Sequence, residues 1–209
     1  MITLAIPKGR LLQQLAPRLL SVGFDQAAIN EKDRRLIRLN HDESARLLLL
    51  KPDDVPTYVE HGAADCGVVG RDVLLERSAN VLVPHDLGIG RCRLAVAAPV
   101  GFSRTHFQTL DRPLRVATKY PNVATAHFAA RGEDVEVIYL GGSVELAPLV
   151  GLSDCIVDVV ETGETLRQNG LDVIETVCDV SAVTVANRVS MKLERARVQA
   201  LLDALATER

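Results

Sequence analysis

An α/β protein with mostly parallel sheets is the fold that this sequence predicts, and three observations carry the prediction. Short aliphatic runs alternate with helical patterns, which implies right-handed βαβ units. Aromatic residues make up 3% of the 209 residues, with no Trp, against 47% apolar residues overall. The core is therefore aliphatic, as in strands covered by helices on both faces. Glycine-containing loops also follow several of the strands, and open α/β sheets hold their ligands at that edge.

Each element follows from local pattern. Ile2, Leu4 and Ile6 begin a strand that Pro7-Lys8-Gly9-Arg10 breaks. Leu12, Leu15, Leu19 and Val22 then recur at helical spacing up to Gly23, and Pro17 is expected to kink that helix or delay its start. Residues 35–39 and 45–50 read as a hairpin around a polar turn. Asp53 or Asp54 is placed to cap a short helix carrying Pro56 in its first turn and closed by Gly62. A buried strand over 66–69 ends in Gly70-Arg71-Asp72, where Asp72 is expected to cap another short helix.

A second block starts near Cys92. Strands are expected over 94–98, 114–117, 135–140 and 155–160, with a polar loop over 101–112 and a helix running from Pro121 towards Gly132. Gly141-Gly142-Ser143 should open a helix with Ser143 as its cap, and residues 161–165 should lead into another that ends at Asn169-Gly170. The tail returns to a strand over 182–186 and closes on an amphipathic helix with Val198, Leu201, Leu202 and Leu205 on one face. At 209 residues the chain has room for one large domain or two small ones.

Composition removes several function classes. The net charge is −3, from 24 basic and 27 acidic residues, so a basic footprint for nucleic acid is absent. No apolar stretch approaches the ~20 residues that span a bilayer, and the first apolar run is too short for a signal peptide. A soluble, cytoplasmic protein is expected. Cys66, Cys92, Cys155 and Cys178 are far apart and form no C-x-x-C pair, so reduced, mostly buried thiols are expected. The five histidines are dispersed and make no metal-like pair. The sequence has no Walker lysine motif, no G-x-G-x-x-G fingerprint and no G-x-S-x-G elbow.

Three loops carry the candidate chemistry. The run from Asp154 to Leu166 is a hydrophobic strand with acids near it that enters a Thr/Gly loop. Backbone N–H groups and the helix dipole make such a loop a cradle for phosphate, with hydroxyls from Thr162 and Thr165 and close approach at Gly163. Asp158 is placed to hold ribose hydroxyls or, through water, a magnesium ion. An ordinary βα turn with capping Thr and Gly explains the same local pattern equally well. In the second loop, Gly142 and Ser143 suit anion or sugar contact, and Glu145 lies in the first helical turn; a plain helix start is the alternative. In the third, Lys8 and Arg10 flank Gly9 at a helix start, where cations oppose the helix dipole and call for an anion. Lys51 is a weaker candidate, since an exposed lysine at a strand end needs no ligand.

The run Gly141-Gly142-Ser143-Val144-Glu145-Leu146-Ala147-Pro148, the run Gly151-Leu152-Ser153-Asp154 and the run from Asp158 to Leu166 together resemble the signature of the ATP phosphoribosyltransferase family. Pro7-Lys8-Gly9-Arg10-Leu11, Asp54-Val55-Pro56, Gly62-Ala63-Ala64-Asp65, Gly70-Arg71-Asp72, Lys119-Tyr120-Pro121-Asn122 and Asn187-Arg188 extend the resemblance over nearly the whole chain. Two departures stand out: Lys51 takes the place of an expected Arg, and Glu161 the place of a common Ser.

The resemblance implies a two-lobed fold of the periplasmic-binding-protein type (type II) with an interlobe cleft. Residues 1–90 and 182–209 would form lobe I, and 91–181 would form lobe II with the phosphoribosyl pyrophosphate loop. The implied reaction joins N1 of the ATP adenine to C1 of 5-phosphoribosyl 1-pyrophosphate, with Mg2+, and releases pyrophosphate as the first step of histidine biosynthesis. It implies catalytic roles for Lys8, Arg10 and Glu145. Substrate contacts would come from Lys51, Gly142, Ser143, Asp154, Asp158, Glu161, Thr162, Gly163, Glu164 and Thr165, while the metal ligands stay open. The length matches the family's short form, which lacks a C-terminal regulatory domain. That form implies a homodimer within a hetero-oligomer, whose regulatory subunit resembles the catalytic core of histidyl-tRNA synthetase. Two other readings of the residues remain: an anion-binding module without catalysis, and a phosphoribosyltransferase acting on a free nucleobase.

Overall fold

The computed structural model describes residues 1–30, 32–108 and 110–207. They form two compact units, Met1–Gly90 with Ser181–Arg209, and Arg91–Val180.

The first unit opens with β1 (Ile2–Pro7), every residue of which is buried. Helix α1 (Arg10–Ser21) buries Leu12, Leu15 and Leu19, the stripe its spacing predicts. It passes through Pro17 and starts at Arg10 without delay. A short α2 (Gln26–Ile29) follows, which the apolar pattern does not announce; Asp25 caps it by accepting the Ala28 amide at 2.8 Å. β2 (Ile37–Leu39) and β3 (Ala45–Leu50) form the expected antiparallel hairpin. After a 3-10 turn over Pro52–Asp54 comes α3 (Val55–Glu60). Asp54 occupies its cap position without a side-chain capping bond, because the preceding turn already runs into the helix. β4 (Cys66–Gly70) leads straight into α4 (Arg71–Arg77), so the cap is Gly70, and Asp72 sits inside the first turn instead of capping it.

The second unit begins with β5 (Cys92–Pro99). The stretch 101–112 contains α5 (Arg104–Gln108) where a loop is expected, and Thr109 lies outside the described residues. β6 (Leu114–Thr118), α6 (Pro121–Ala129) and β7 (Val135–Tyr139) follow as expected. Helix α7 is only Leu146–Leu149. Ser143 does not cap it: its φ of 50° is left-handed, and Glu145 holds the cap position. β8 (Cys155–Val160) and α8 (Glu164–Gln168) form the predicted strand-loop-helix. β9 (Leu171–Val180) is a ten-residue strand absent from the pattern reading. Its pairing with β5 shifts register twice, which spoils the alternation that would mark it.

The chain returns to the first unit through β10 (Ala182–Ala186). Next comes α9 (Arg188–Leu193), whose cap Asn187 accepts amides from both Val189 and Ser190 at 2.9 Å. The closing helix α10 (Arg195–Ala206) buries Val198, Leu202 and Leu205 completely, each worth about 1.5–3 kcal/mol.

Each unit holds one five-stranded sheet, ordered β10-β4-β1-β3-β2 and β7-β6-β8-β5-β9. In the first, the three central strands β4-β1-β3 run parallel and the two edge strands pair antiparallel; in the second, the parallel trio β7-β6-β8 takes one side, and β5 and β9 add to it antiparallel on the other. Parallel strands buried on both faces read as continuous apolar runs; of the strands that pair antiparallel, β2, β5 and β10 are also expected from the pattern, and β9 is not. Helices cover both faces, and the core is mainly aliphatic, with Phe24 and Phe128 as its buried phenylalanines. Cys66 and Cys155 are buried and Cys92 and Cys178 half-buried, all unbridged; burial pushes the first two thiols up, away from reactivity.

Candidate functional site

The frame of the site is β8. Cys155, Ile156 and Val157 are completely buried, so the strand is held on both faces. At its carboxyl end the chain turns through residues 161–163, and Gly163 (φ 74°, ψ 6°) leads into α8. Glycine adopts that conformation without a Cβ penalty; a Cβ there would also meet Arg167 Nη1 at 3.4 Å.

The turn is held by its own helix. The Glu164 amide donates to the Thr162 hydroxyl at 3.3 Å. The Arg167 amide donates to the Gly163 carbonyl at 3.0 Å. Arg167 Nη1 donates to the Thr162 carbonyl at 3.2 Å, and Nη2 to the Glu164 carboxylate at 2.7 Å. Gln168 donates to the other Glu164 oxygen at 2.9 Å. The Arg167 guanidinium and the Gln168 amide hold the Glu164 carboxyl below its ordinary range. Amides of a first helical turn have no carbonyl within the helix to donate to, so they are free to face a ligand.

A pocket of about 260 Å³ lies against this turn, lined by Glu145, Asp158, Glu161, Thr162, Gly163, Glu164 and Thr165 with the apolar Val159, Val160 and Leu166. The structure thus brings seven of the sequence-predicted residues to one place. Four of them are acids, an arrangement suited to accepting hydrogen bonds from hydroxyl groups, while backbone amides and threonine hydroxyls are the donors available to a phosphate.

Other candidates lie elsewhere. Gly142 and Ser143 are exposed and do not line the pocket; of their loop, Glu145 alone does. Asp154 requires a correction. It stands before β8, at the opposite end of the strand from the pocket, and its carboxylate is occupied by the protein. Arg112 grips it with two bonds of 2.7 Å, and the Arg115 amide (2.9 Å) and guanidinium (3.3 Å) complete the set. Arg112 above all pulls the Asp154 carboxyl down to about 2. Its role is to fasten the β6–β8 edge, because every strong acceptor site is already used.

Lys8, Arg10 and Lys51 belong to the first unit. All three are exposed at the carboxyl ends of β1 and β3. Lys8 and Lys51 are neighbours there: Pro7 pairs with Leu50, and the Lys8 amide donates to the Leu50 carbonyl at 3.0 Å. Gly9, at φ 85°, makes the turn that starts α1 at Arg10. Sequence reading missed the clamp by Arg167, although its i,i+3 spacing from Glu164 is a legible signal.

Comparison with known proteins identifies the family and the fold. The family model described as "HisG: ATP phosphoribosyltransferase" matches residues 51–207. An ATP phosphoribosyltransferase of Sorangium cellulosum is 54% identical over 98% of this chain and 94% of its own length. One from Caldicellulosiruptor bescii is 51% identical over 93% and 92%. Among solved structures, the ATP phosphoribosyl transferase (HisG:HisZ) complex from Thermotoga maritima superposes with a TM-score of 0.84 at 36% identity, over 98% of this chain and 96% of that one. The periplasmic aliphatic sulphonate binding protein SsuA of Escherichia coli superposes at 0.63 with 15% identity, covering 98% of this chain and 67% of its own, which shows a shared two-lobed type II fold. The chain belongs to the ATP phosphoribosyltransferase family, whose reaction opens histidine biosynthesis.

Proposed function

We propose that loop 161–165 seats the 5-phosphate of 5-phosphoribosyl 1-pyrophosphate while the chain transfers its phosphoribosyl group to ATP. The observation that carries the reading is the coincidence of the pocket with the Thr/Gly turn at the carboxyl end of β8. Its volume, about 260 Å³, lies at the low end for ligand pockets and suits a ribose phosphate better than a whole nucleotide. Thr162, Gly163 and Thr165 offer hydroxyl and amide donors to the phosphate, Glu161 and Glu164 shape the turn, and Asp158 accepts from the ribose hydroxyls. Glu145 faces the same pocket and is assigned to the reacting ribose.

In the transfer, adenine N1 bonds to C1 as the C1–O bond to pyrophosphate breaks, and the bonding electrons leave with pyrophosphate. No nucleophilic side chain is needed; the rate depends on holding N1 against C1 and on stabilising the charge that separates. Lys8, Arg10 and Lys51 are assigned to the pyrophosphate and ATP phosphates. Among the described residues no group of three or more His, Cys, Asp or Glu side chains is arranged to hold a metal ion. In this reading Mg2+ arrives on the substrate phosphates, and no resident metal site is required.

In the same reading the chain works as a homodimer within a hetero-oligomer whose regulatory subunit resembles histidyl-tRNA synthetase; that the Thermotoga structure is a HisG:HisZ complex supports a regulatory partner. No helix among the described residues is long and apolar enough to cross a membrane, and a cytoplasmic location fits the substrates. The direct test mixes the protein and its regulatory subunit with ATP, the donor and Mg2+, and follows the absorbance of N1-alkylated adenine. Product formed from ATP supports the reading; product formed only from a free nucleobase overturns it. Thr165→Ala should raise the donor KM, and an unchanged value would remove the loop assignment.

A further inference from the structure

Arg93 carries a buried N–H without a hydrogen-bond partner on the sheet face that holds this pocket. Arg93 lies on β5, directly across the antiparallel pair from Val160, and the next pair along the same face is Ala95 with Asp158. Residues opposite each other in an antiparallel pair project from the same face of the sheet. Arg93, Asp158 and Val160 therefore share one face, and the latter two line the pocket. Val160 and Leu166 pack in one apolar cluster with Ala95 and Ala97, which places the pocket on that face as well.

The Arg93 side chain is not used by the fold. Its Nε is buried and has no hydrogen-bond partner. Asp179 stands opposite Arg93 on β9, yet no ion pair joins them. Arg115 offers the contrast within the same sheet: its Nε is also unpartnered, but its two Nη groups bind the Gly151 carbonyl and Asp154. A buried guanidinium N–H without an acceptor is costly, and a fold retains one where a ligand supplies the acceptor. No lysine or arginine is among the residues that line the pocket, so an anionic substrate gains from a cation at its rim.

We propose that Arg93 is a substrate-contacting residue of the transfer reaction, its guanidinium donating to a phosphate oxygen of the donor bound in the pocket beside Val160. The planar fork matches phosphate geometry, so lysine replaces it only in part. This inference rests on the phosphate reading of loop 161–165.

The test compares Arg93→Gln, Arg93→Lys and Thr165→Ala in the complete enzyme, measuring rates against donor and against ATP, and thermal melting. Arg93→Gln should raise the donor KM about tenfold or more while leaving the ATP KM within twofold. Arg93→Lys should recover part of the loss. The Gln variant should melt at the parent temperature or above, since the group removed had no partner in the protein. A Gln variant whose donor KM stays within twofold, while Thr165→Ala raises it, overturns the role of Arg93 and leaves the loop reading standing. A raised donor KM in Arg93→Gln with a silent Thr165→Ala overturns the loop reading and, with it, the phosphate seat assigned to Arg93. A raised ATP KM alone overturns the assignment to the donor, and a lowered melting temperature with equal loss against both substrates shows a purely structural role.

Discussion

The two ends of β8 make opposite use of the same kind of residue. Before the strand, Asp154 is surrounded by Arg112 and Arg115, and four contacts of 2.7–3.3 Å occupy its carboxylate. After the strand, an acid-rich pocket opens over a turn whose Gly163 is left-handed, and the cation beside it, Arg93, holds an unpartnered buried N–H. Polar groups that the protein itself satisfies hold the fold, whereas polar groups left facing a cavity are available to a ligand. Position separates Asp154 from Asp158, two acids four positions apart that look equivalent in the sequence: Asp158 lines the pocket and Asp154 does not.

Substitutions at the two ends should therefore split stability from catalysis. The largest effect is expected at Gly163→Val, where a branched side chain is forced to φ 74° against Arg167. Strain at such a position costs on the order of 1–3 kcal/mol, and the distorted turn should raise the donor KM by about 100-fold. Initial-rate kinetics check this, and a donor KM near the parent value would show that the turn is not the phosphate seat. Thr165→Ala removes one charge-assisted hydrogen bond worth roughly 1.5–3 kcal/mol, so kcat/KM for the donor should fall by one to two orders of magnitude with melting almost unchanged.

At the other end, Asp154→Asn should lower stability by about 1–3 kcal/mol and leave the donor KM within twofold. The pH dependence has a definite sign. The folded carboxyl is held near 2, below its ordinary 3.8, so its contribution is complete above about pH 4 and disappears as pH falls through 2. Denaturant titrations between pH 5 and 2 should show a steeper loss of stability in the parent than in the Asn variant. A raised donor KM with unchanged stability would return Asp154 to the site. The smallest effect is expected at Arg167→Met. That ion pair is more than half exposed and contributes little stability. Freeing the Glu164 carboxylate beside the bound phosphate should still raise the donor KM about two- to threefold, and Glu164→Gln in the same chain should cancel the rise.

Much of this organisation is legible in the chain itself. The runs 2–6, 66–69 and 155–160 announce buried parallel strands because both faces are apolar, and the Thr/Gly turn after Val160 is a local motif with a local conformation. β9 escapes because its register shifts break the alternation. Short α2 and α9 escape because their caps, Asp25 and Asn187, are followed by too few apolar residues to form a stripe. Ser143 reads as a helix cap, yet its left-handed backbone and the four-residue length of α7 leave the capping position to Glu145.

Local chemistry in the sequence was enough to specify the aliphatic α/β layers, the glycine turn at 161–165 and the grouping of Asp158 with the threonines, because these depend on neighbours within a few residues. The fate of Asp154 and the place of Arg93 depended on pairings made far along the chain. Arg112 and Arg115 reach Asp154 from about 40 residues away, and β5 meets β8 antiparallel across 67 residues, from Arg93 to Val160. Whether a charged side chain is satisfied or left waiting is a property of those long-range partners, and only folding brings them together.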